Sequence, residues 1–435
     1  MQDVQDQPRR PGHGQKLTRA ELSVACLMAA VQFFGMTDSM VMIPLGPVLS
    51  QSMAMDSSDV GYLTGTFVAA ACIAGLASSV LLDRLDRRRV LLAGLGGLSL
   101  MTALTGLASG FHTLIVARFM AGLFAGPTMA TTYAILADHI AASRRGRAMG
   151  IVATAFGVAS VLGVPVGLQL ALVFGWSMMF VVLGAVGAAI ALGIAWRLGK
   201  QPVAPPTTAM TATGALAEFA VVFRRPAVAV GLCALALHIA SNMLLIPNMA
   251  SFMAFNLGYP VGSLGVLWMA GGVAGLLGGN IGGRLADRFG TVPVLTCNAA
   301  LLSLVIAMLW FAYRPGWPLM PVFAAFVMLN LSASAMVNAR VSTIPPADQR
   351  GRFASLQVAT QHASTAVCSV LASLVLASGP GGVVFNMGWL AVAAILSALA
   401  VPVLLIVLNL LDRPTTACCP CVHAPAKIME IKSDA

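Results

Sequence analysis

Twelve long apolar runs alternate with short polar breaks along the chain. They lie at roughly 21–49, 59–82, 90–110, 113–137, 148–172 and 176–197, then 227–256, 260–283, 291–313, 318–341, 352–378 and 383–411. Each approaches or exceeds the length of about 20 residues that a helix needs to cross a bilayer. Lipid offers the backbone no hydrogen-bond partners, so all twelve runs are expected to be helices. One break is long: 198–226 reads QPVAPPTTAMTATG and then ALAEFAVVF, a linker composition. The expected organisation is a tail 1–20, a six-helix bundle 21–197, the linker 198–226, a second bundle 227–411 and a tail 412–435.

An internal repeat supports two equivalent halves. MIP ending at Pro44 returns as LIP ending at Pro247, DRLDRRRVL from Asp83 as DRFGTVPVL from Asp287, and RRGRAMG around Gly146 as QRGRFAS around Gly351. The offsets are 203, 204 and 205. Parallel halves of this kind place a binding site near the membrane midplane, between them.

Composition strengthens the membrane assignment. The chain is 58% hydrophobic and only 9% charged, against about 25% charged for a soluble domain. The net charge of +10 raises the question of nucleic acid, and its distribution answers it. All Lys and Arg except Arg118 and Arg314 fall in clusters at the tails and at every second loop. That is the positive-inside pattern; it places both termini in the cytoplasm and predicts a multi-pass protein of the cell (inner) membrane, not a nucleic-acid binder. Cys26, Cys72, Cys233, Cys297 and Cys368 stand singly in apolar runs, where cysteine behaves as a small hydrophobe. The polar N-terminal 20 residues show no cleavable signal.

Against this apolar background two charges stand out. Asp38 is the single carboxylate deep in a span, with about 15 uncharged residues on either side. Burying it costs roughly 2.5 kcal/mol or more, which marks it as functional by default. Arg118 is the single arginine well inside a span. Helical rise puts Asp38 roughly 15 Å from the outer end of its span, and Arg118 lies near the outer end of its own. Each is the other's best partner, and a proton-coupling pair is expected between the two bundles. The alternative is an arginine bonded to backbone carbonyls of the first helix.

The loop after the second span and its repeat carry acids among arginines: Asp83, Arg84, Arg87 and Arg88, then Gly283, Asp287, Arg288 and Gly290. Arg118, Gly122 and Gly126 form R-x-x-x-G-x-x-x-G, whose glycines share a face and admit a neighbouring helix. The fifth span holds Gly157, Gly163, Pro165 and Gly167 in GVASVLGVPVG, a composition that permits a bend and close packing. Together these segments resemble the major facilitator superfamily across nearly the whole chain. Its loop signature is G-x-x-x-D-R-x-G-R-R; the second copy here is the cleaner, while the first has Ser79 and Asp86 where glycines are preferred. The resemblance implies that these loops latch one conformation by charge-assisted bonds; charge that only sets topology is the other reading. The fifth-span segment is similar to the antiporter motif of the drug and metabolite efflux branch, in the form found in arabinose-efflux-type permeases. That implies proton antiport and export; a tight crossing without bearing on direction is the other reading. Trp176 also matches that branch, as an interfacial anchor.

Polar residues at helical spacing outline an expected cavity wall: His238, Ser241 and Asn242 with Leu245; Gln357, Gln361 and Ser364 with Cys368; Asn330 and Ser334; and Phe34 and Met42, one turn either side of Asp38. An apolar wall with a few polar groups suits a small organic solute. His238 and His362 are within the histidine titration range or are buried and neutral. The tail residues Cys418, Cys419, Cys421 and His423 have metal-ligand chemistry without a standard spacing, and no metal or cofactor is expected. Neither HExxH nor GxSxG nor a P-loop occurs, which argues against an enzyme or a nucleotide-driven pump. The function expected is secondary transport by a monomer that exchanges an organic solute for protons across the bilayer by alternating access. A proton symporter or facilitator importing a sugar or organic acid is the second reading, and a non-transporting sensor the third.

Overall fold

A computed structural model describes residues 17–53, 55–81, 86–198, 225–314, 316–345 and 350–411. Its first half contains α1 (Arg19–Met53), α2 (Val60–Leu81), α3 (Arg87–Thr105), α4 (Phe111–His139), α5 (Ala142–Val158), α6 (Val164–Phe174) and α7 (Trp176–Arg197). Its second half contains α8 (Pro226–Met243), α9 (Ile246–Phe255), α10 (Leu264–Phe289), α11 (Thr291–Ala307), α12 (Leu319–Ser342), α13 (Arg350–Val375) and α14 (Met387–Leu411). A short antiparallel hairpin, β1 (Ala377–Ser378) with β2 (Val384–Phe385), joins α13 to α14. The expected all-helical membrane fold is what the chain adopts.

Among the described residues, eleven helical stretches are long and apolar enough to span a bilayer. The third expected span, α3, is not among them, because its 19 residues open on three arginines. It nevertheless packs between α4 and α7 as a full member of its bundle. Local chemistry sets several ends. Thr18 and Glu21 cap α1 reciprocally, the Thr18 N–H donating to Glu21 Oε2 at 2.8 Å and the Glu21 N–H to Thr18 Oγ1 at 3.2 Å. Gly290, with φ at +89°, makes the sharp turn from α10 to α11 that a side chain would strain. The repeat is not exact in three dimensions. α1 runs unbroken through Pro44 and Pro47, whereas the chain breaks between α8 and α9 just before Pro247. The fifth span carries a π-helical turn at Ala159–Gly163, between α5 and α6, within its run of small residues.

The arginines at the start of α3, with Glu21 and Arg144, mark one end of the bundle, here called the basic end. Large apolar side chains such as Leu107 and Trp196 lie exposed on the outer surface, the pattern of a lipid-facing belt rather than a hydrated one. The halves meet through α1 with α9, α2 with α13, and α6 and the π turn with α10. Glycines permit this approach. A Cβ on Gly61 would lie 2.3 Å from the Ser369 carbonyl oxygen, and one on Gly46 would lie 2.9 Å from Ser251 Oγ. The tails, the linker between 199 and 224, and the Cys418, Cys419, Cys421 and His423 group lie outside the described residues, as do Asp83 and Arg84.

Candidate functional site: a buried ion pair in the first bundle

Asp38 and Arg118 meet, with Asp38 fully buried and Arg118 1% exposed. Arg118 Nη1 donates to Asp38 Oδ2 at 3.2 Å and Nη2 donates to Oδ1 at 3.3 Å, a fork-on-fork geometry. α3 completes the cage. Thr102 Oγ1 donates to Asp38 Oδ1 at 3.0 Å, and Arg118 Nη2 donates to Thr105 Oγ1 at 2.9 Å. The guanidinium carbon lies 5.2 Å from the Phe180 ring centre and 5.5 Å from that of Phe67, within cation–π range. Arg118 Nε has no hydrogen-bond partner among the described residues.

The backbone explains this placement. A Cβ on Gly122 would sit 2.2 Å from the Phe67 carbonyl oxygen, and one on Gly126 2.2 Å from that of Ala71. The glycine stripe therefore draws α4 onto α2 and brings Phe67 to the arginine one turn away. Thr102, Thr105, Phe67 and Phe180 were not found from the sequence; the two threonines, three apart inside an apolar span, were the available signal.

One expectation needs correction. The pair does not sit between the halves but inside the first bundle, among α1, α3 and α4. Phe34 and Met42, expected on a cavity wall, are fully or nearly fully buried. They share the Asp38 face of α1, and Phe34 packs on α7, where a Cβ on Gly187 would come 2.5 Å from its ring. What α1 turns toward the fifth span is its other face: Cβ atoms on Gly163 and Gly167 would meet Thr37 and Val41 at 2.4 and 2.9 Å. From the fifth span, Gly157 faces Leu276 of α10, and Pro165 lies against Gly265. The antiporter-like segment thus touches both α1 and the second half.

The loop signature is only partly realised as expected. Arg87 pairs with Asp138 at the end of α4, and Arg88 Nη2 donates to the Ala195 carbonyl of α7 at 2.6 Å, so the arginines do tie helix ends together. The acid that Arg87 meets is Asp138. In the second copy Asp287 is exposed and holds no ion pair among the described residues, while Arg288 lies over Phe289. The glycine in close contact is Gly282, against Ser332, not Gly283.

In the second half, Gln357 Nε2 and Gln361 Nε2 both donate to Asn338 Oδ1, at 2.7 and 2.6 Å, and Asn338 Nδ2 donates to Ser334 Oγ at 3.2 Å. These residues of α12 and α13 gather around Asn338, which the sequence reading missed. Ser241 and Asn242 both donate to the His238 carbonyl within α8, and Asn330 donates to Phe326 O. His238 Nε2, Asn242 Oδ1 and Asn330 Oδ1 are buried and have no hydrogen-bond partner among the described residues. Leaving such groups unpaired costs about 1–3 kcal/mol each, so they are sites with hydrogen-bonding capacity to spare.

At the end opposite the basic one, serines clasp the halves. Ser378 Oγ of β1 lies 3.1 Å from Ser57 Oγ, accepts from the Ser58 N–H at 3.0 Å and donates to Ser58 Oγ at 3.0 Å. Ser373 Oγ donates to Ser58 O at 2.6 Å, and Ser57 Oγ donates to Gly382 O at 2.7 Å. Ser378→Ala removes the hub. At about 1 kcal/mol per net hydrogen bond, the closed arrangement should lose about tenfold or more in population. The test is the alkylation rate of a cysteine placed at buried Ser369, which should rise in that background. Beside the clasp, burial and the neighbouring Asp56 push Asp59 up to about 6. This raised group opposes folding above about pH 6 and is relieved as pH falls toward its ordinary 3.8. Thermal stability should therefore gain from acidification across that window, and Asp59→Asn should flatten the gain.

These features define a class: a polytopic helical protein of two six-helix bundles, closed at one end, with a charge pair inside one bundle. The Major Facilitator Superfamily model matches residues 28–238. The chain is 26% identical to the MFS-type transporter YceJ of Bacillus subtilis, itself uncharacterised, over 357 residues, 81% of this chain and 89% of that one. Among solved structures it is similar to a point mutant of the nucleoside transporter NupG, with TM-score 0.70, 14% identity and coverage of 90% and 100% of the two chains. It is also similar to a D-xylose-proton symporter, with TM-score 0.70, 16% identity and coverage of 87% and 97%. A third is an inward-facing, unoccupied bacterial homolog of the human lysosomal transporter Spinster, with TM-score 0.64, 17% identity and coverage of 91% and 97%. Residues 28–238, just under half of the chain, thus match the Major Facilitator Superfamily, and the long apolar helices of the described residues are those of a multi-pass membrane protein.

Proposed function

We propose that this transporter exchanges protons for a small organic solute and exports it, working as a monomer in the cell membrane with both termini cytoplasmic. The single observation carrying the proton reading is the Asp38–Arg118 pair, wholly buried and held by the threonines of α3. Protonation of Asp38 neutralises one partner and leaves Arg118 with Thr105 and two aromatic faces. The energetic balance between packed arrangements of α1, α3 and α4 then changes with proton occupancy, which is what coupling requires. Export is supported by the antiporter-like segment, whose π turn and glycines lie against both α1 and α10. The solute is taken in the second half by the Asn338 cluster and the unpaired groups of His238, Asn242 and Asn330. The serine clasp then corresponds to an inward-facing state.

The test is proteoliposomes with a trapped pH dye, challenged with a panel of lipophilic drugs, sugars and organic acids. Antiport is read as solute-driven proton movement opposite to solute movement. The double variant Asp38→Asn with Arg118→Gln should retain solute counterflow and lose proton movement. Proton movement undiminished in that variant would sink coupling through the pair. Proton and solute moving together would instead establish symport, the reading favoured by the fold shared with the D-xylose-proton symporter.

A further inference from the structure

We infer a binding site for an anionic phospholipid in a crevice between α1 and α7 at the basic end. The crevice has a volume of about 410 Å³ and is lined by Ser23, Cys26 and Leu27 of α1 and Gly193, Trp196 and Arg197 of α7. Arg197 is exposed and holds no ion pair among the described residues. Arg19 begins α1 one turn before Ser23 and is also exposed, on the helical face that leads into the crevice. The nearby carboxylate of Glu21 is turned away and neutralised, accepting from Arg144 Nη2 at 2.8 Å. The terminal carbonyl Ala195 O is itself bound by Arg88, which adds a third cation to this end of α7.

Charge alone would suit any phosphate. The apolar half of the site selects a lipid. Trp196 is 86% exposed and Leu192, one turn deeper on the same face, is 72% exposed, a track for an acyl chain running from the arginines toward the membrane interior. A Cβ on Gly193 would meet nothing within 4 Å, so the crevice floor is open to an occupant. A headgroup phosphate at Arg197 and Arg19, with its chain along Leu27, Leu192 and Trp196, satisfies both halves, as basic crevices between membrane helices do elsewhere.

Cys26 lines the crevice and is exposed, and Cys233 and Cys297 are exposed elsewhere, which gives a test with internal controls. The full-length protein in detergent is alkylated with N-ethylmaleimide, and each cysteine is followed by mass spectrometry. Phosphatidylglycerol should slow Cys26 about fivefold, the effect of roughly one cation near an anionic lipid surface, and leave Cys233 and Cys297 unchanged. Phosphatidylcholine and soluble glycerol phosphate should not protect. Arg197→Gln should abolish the protection and Arg197→Lys keep most of it. Gly193→Leu, which fills the crevice without touching its charge, should abolish the lipid dependence. Equal protection by phosphatidylcholine, equal protection by glycerol phosphate, uniform slowing of all three cysteines, or full protection in Arg197→Gln would each overturn the site.

Discussion

Replacing Asp38 by asparagine should destabilise the folded protein by about 3–5 kcal/mol, the usual cost of breaking a buried pair from one side. Arg118 would keep its full charge at 1% exposure, because a guanidinium cannot shed its proton in a protein. Thr105, the backbone carbonyl of residue 38 and the rings of Phe67 and Phe180 would remain around it. Arg118→Gln should be milder, since a carboxyl left alone can take up a proton and become neutral. Replacing both should be milder still than Asp38→Asn, so the double-mutant cycle should show a large favourable coupling between the two positions. Thermal unfolding of the purified protein in detergent, across the four variants, reads this directly. Additive losses would mean that the pair contributes little.

The second large effect belongs to the glycine seam. Gly122→Ala places a methyl carbon 2.2 Å from the Phe67 carbonyl oxygen. That atom is backbone and cannot rotate away, so α4 must move off α2. Overpacking typically costs about 1–3 kcal/mol, and the rigid neighbour puts this substitution at or above the upper end. It should also loosen Phe67 from Arg118, and the drop in melting temperature should be partly shared with Arg118→Gln in the double variant. Gly96→Ala is the control, since a Cβ there meets nothing within 4 Å; it should be neutral or slightly stabilising through helix propensity. Equal melting temperatures for the two alanine variants would dismiss the seam.

Much of this molecule is legible in the chain. The span ends among the described residues follow apolar length to within six residues, because a helix in lipid satisfies its backbone only within itself. The partnership of residues 38 and 118 is legible for a similar reason: two lone opposite charges in an apolar setting have no cheaper solution than each other. Gly122, Gly126 and Gly163 announce close crossings, which the structure shows at 2.2 to 2.4 Å from a would-be Cβ. The acid that Arg87 meets is less legible: Asp138 lies 51 residues further on, and only the packing of α3 beside α4 makes the two neighbours.

The sequence by itself determined that the chain crosses a membrane many times, in two related halves, and that a carboxylate at 38 and a guanidinium at 118 share a burial problem. Tertiary structure alone decided where that problem is solved. One face of α1 serves the bundle interior and another the fifth span, and a helix can rotate by a fraction of a turn without changing its hydropathy. That rotation, set by Gly187 against Phe34 and Gly163 against Thr37, buries Phe34 and Met42. It also brought in Thr102 and Thr105, which no spacing rule ties to Asp38. The serine clasp is of the same kind, since Ser57 and Ser378 are 321 residues apart and only the meeting of the two halves makes them neighbours.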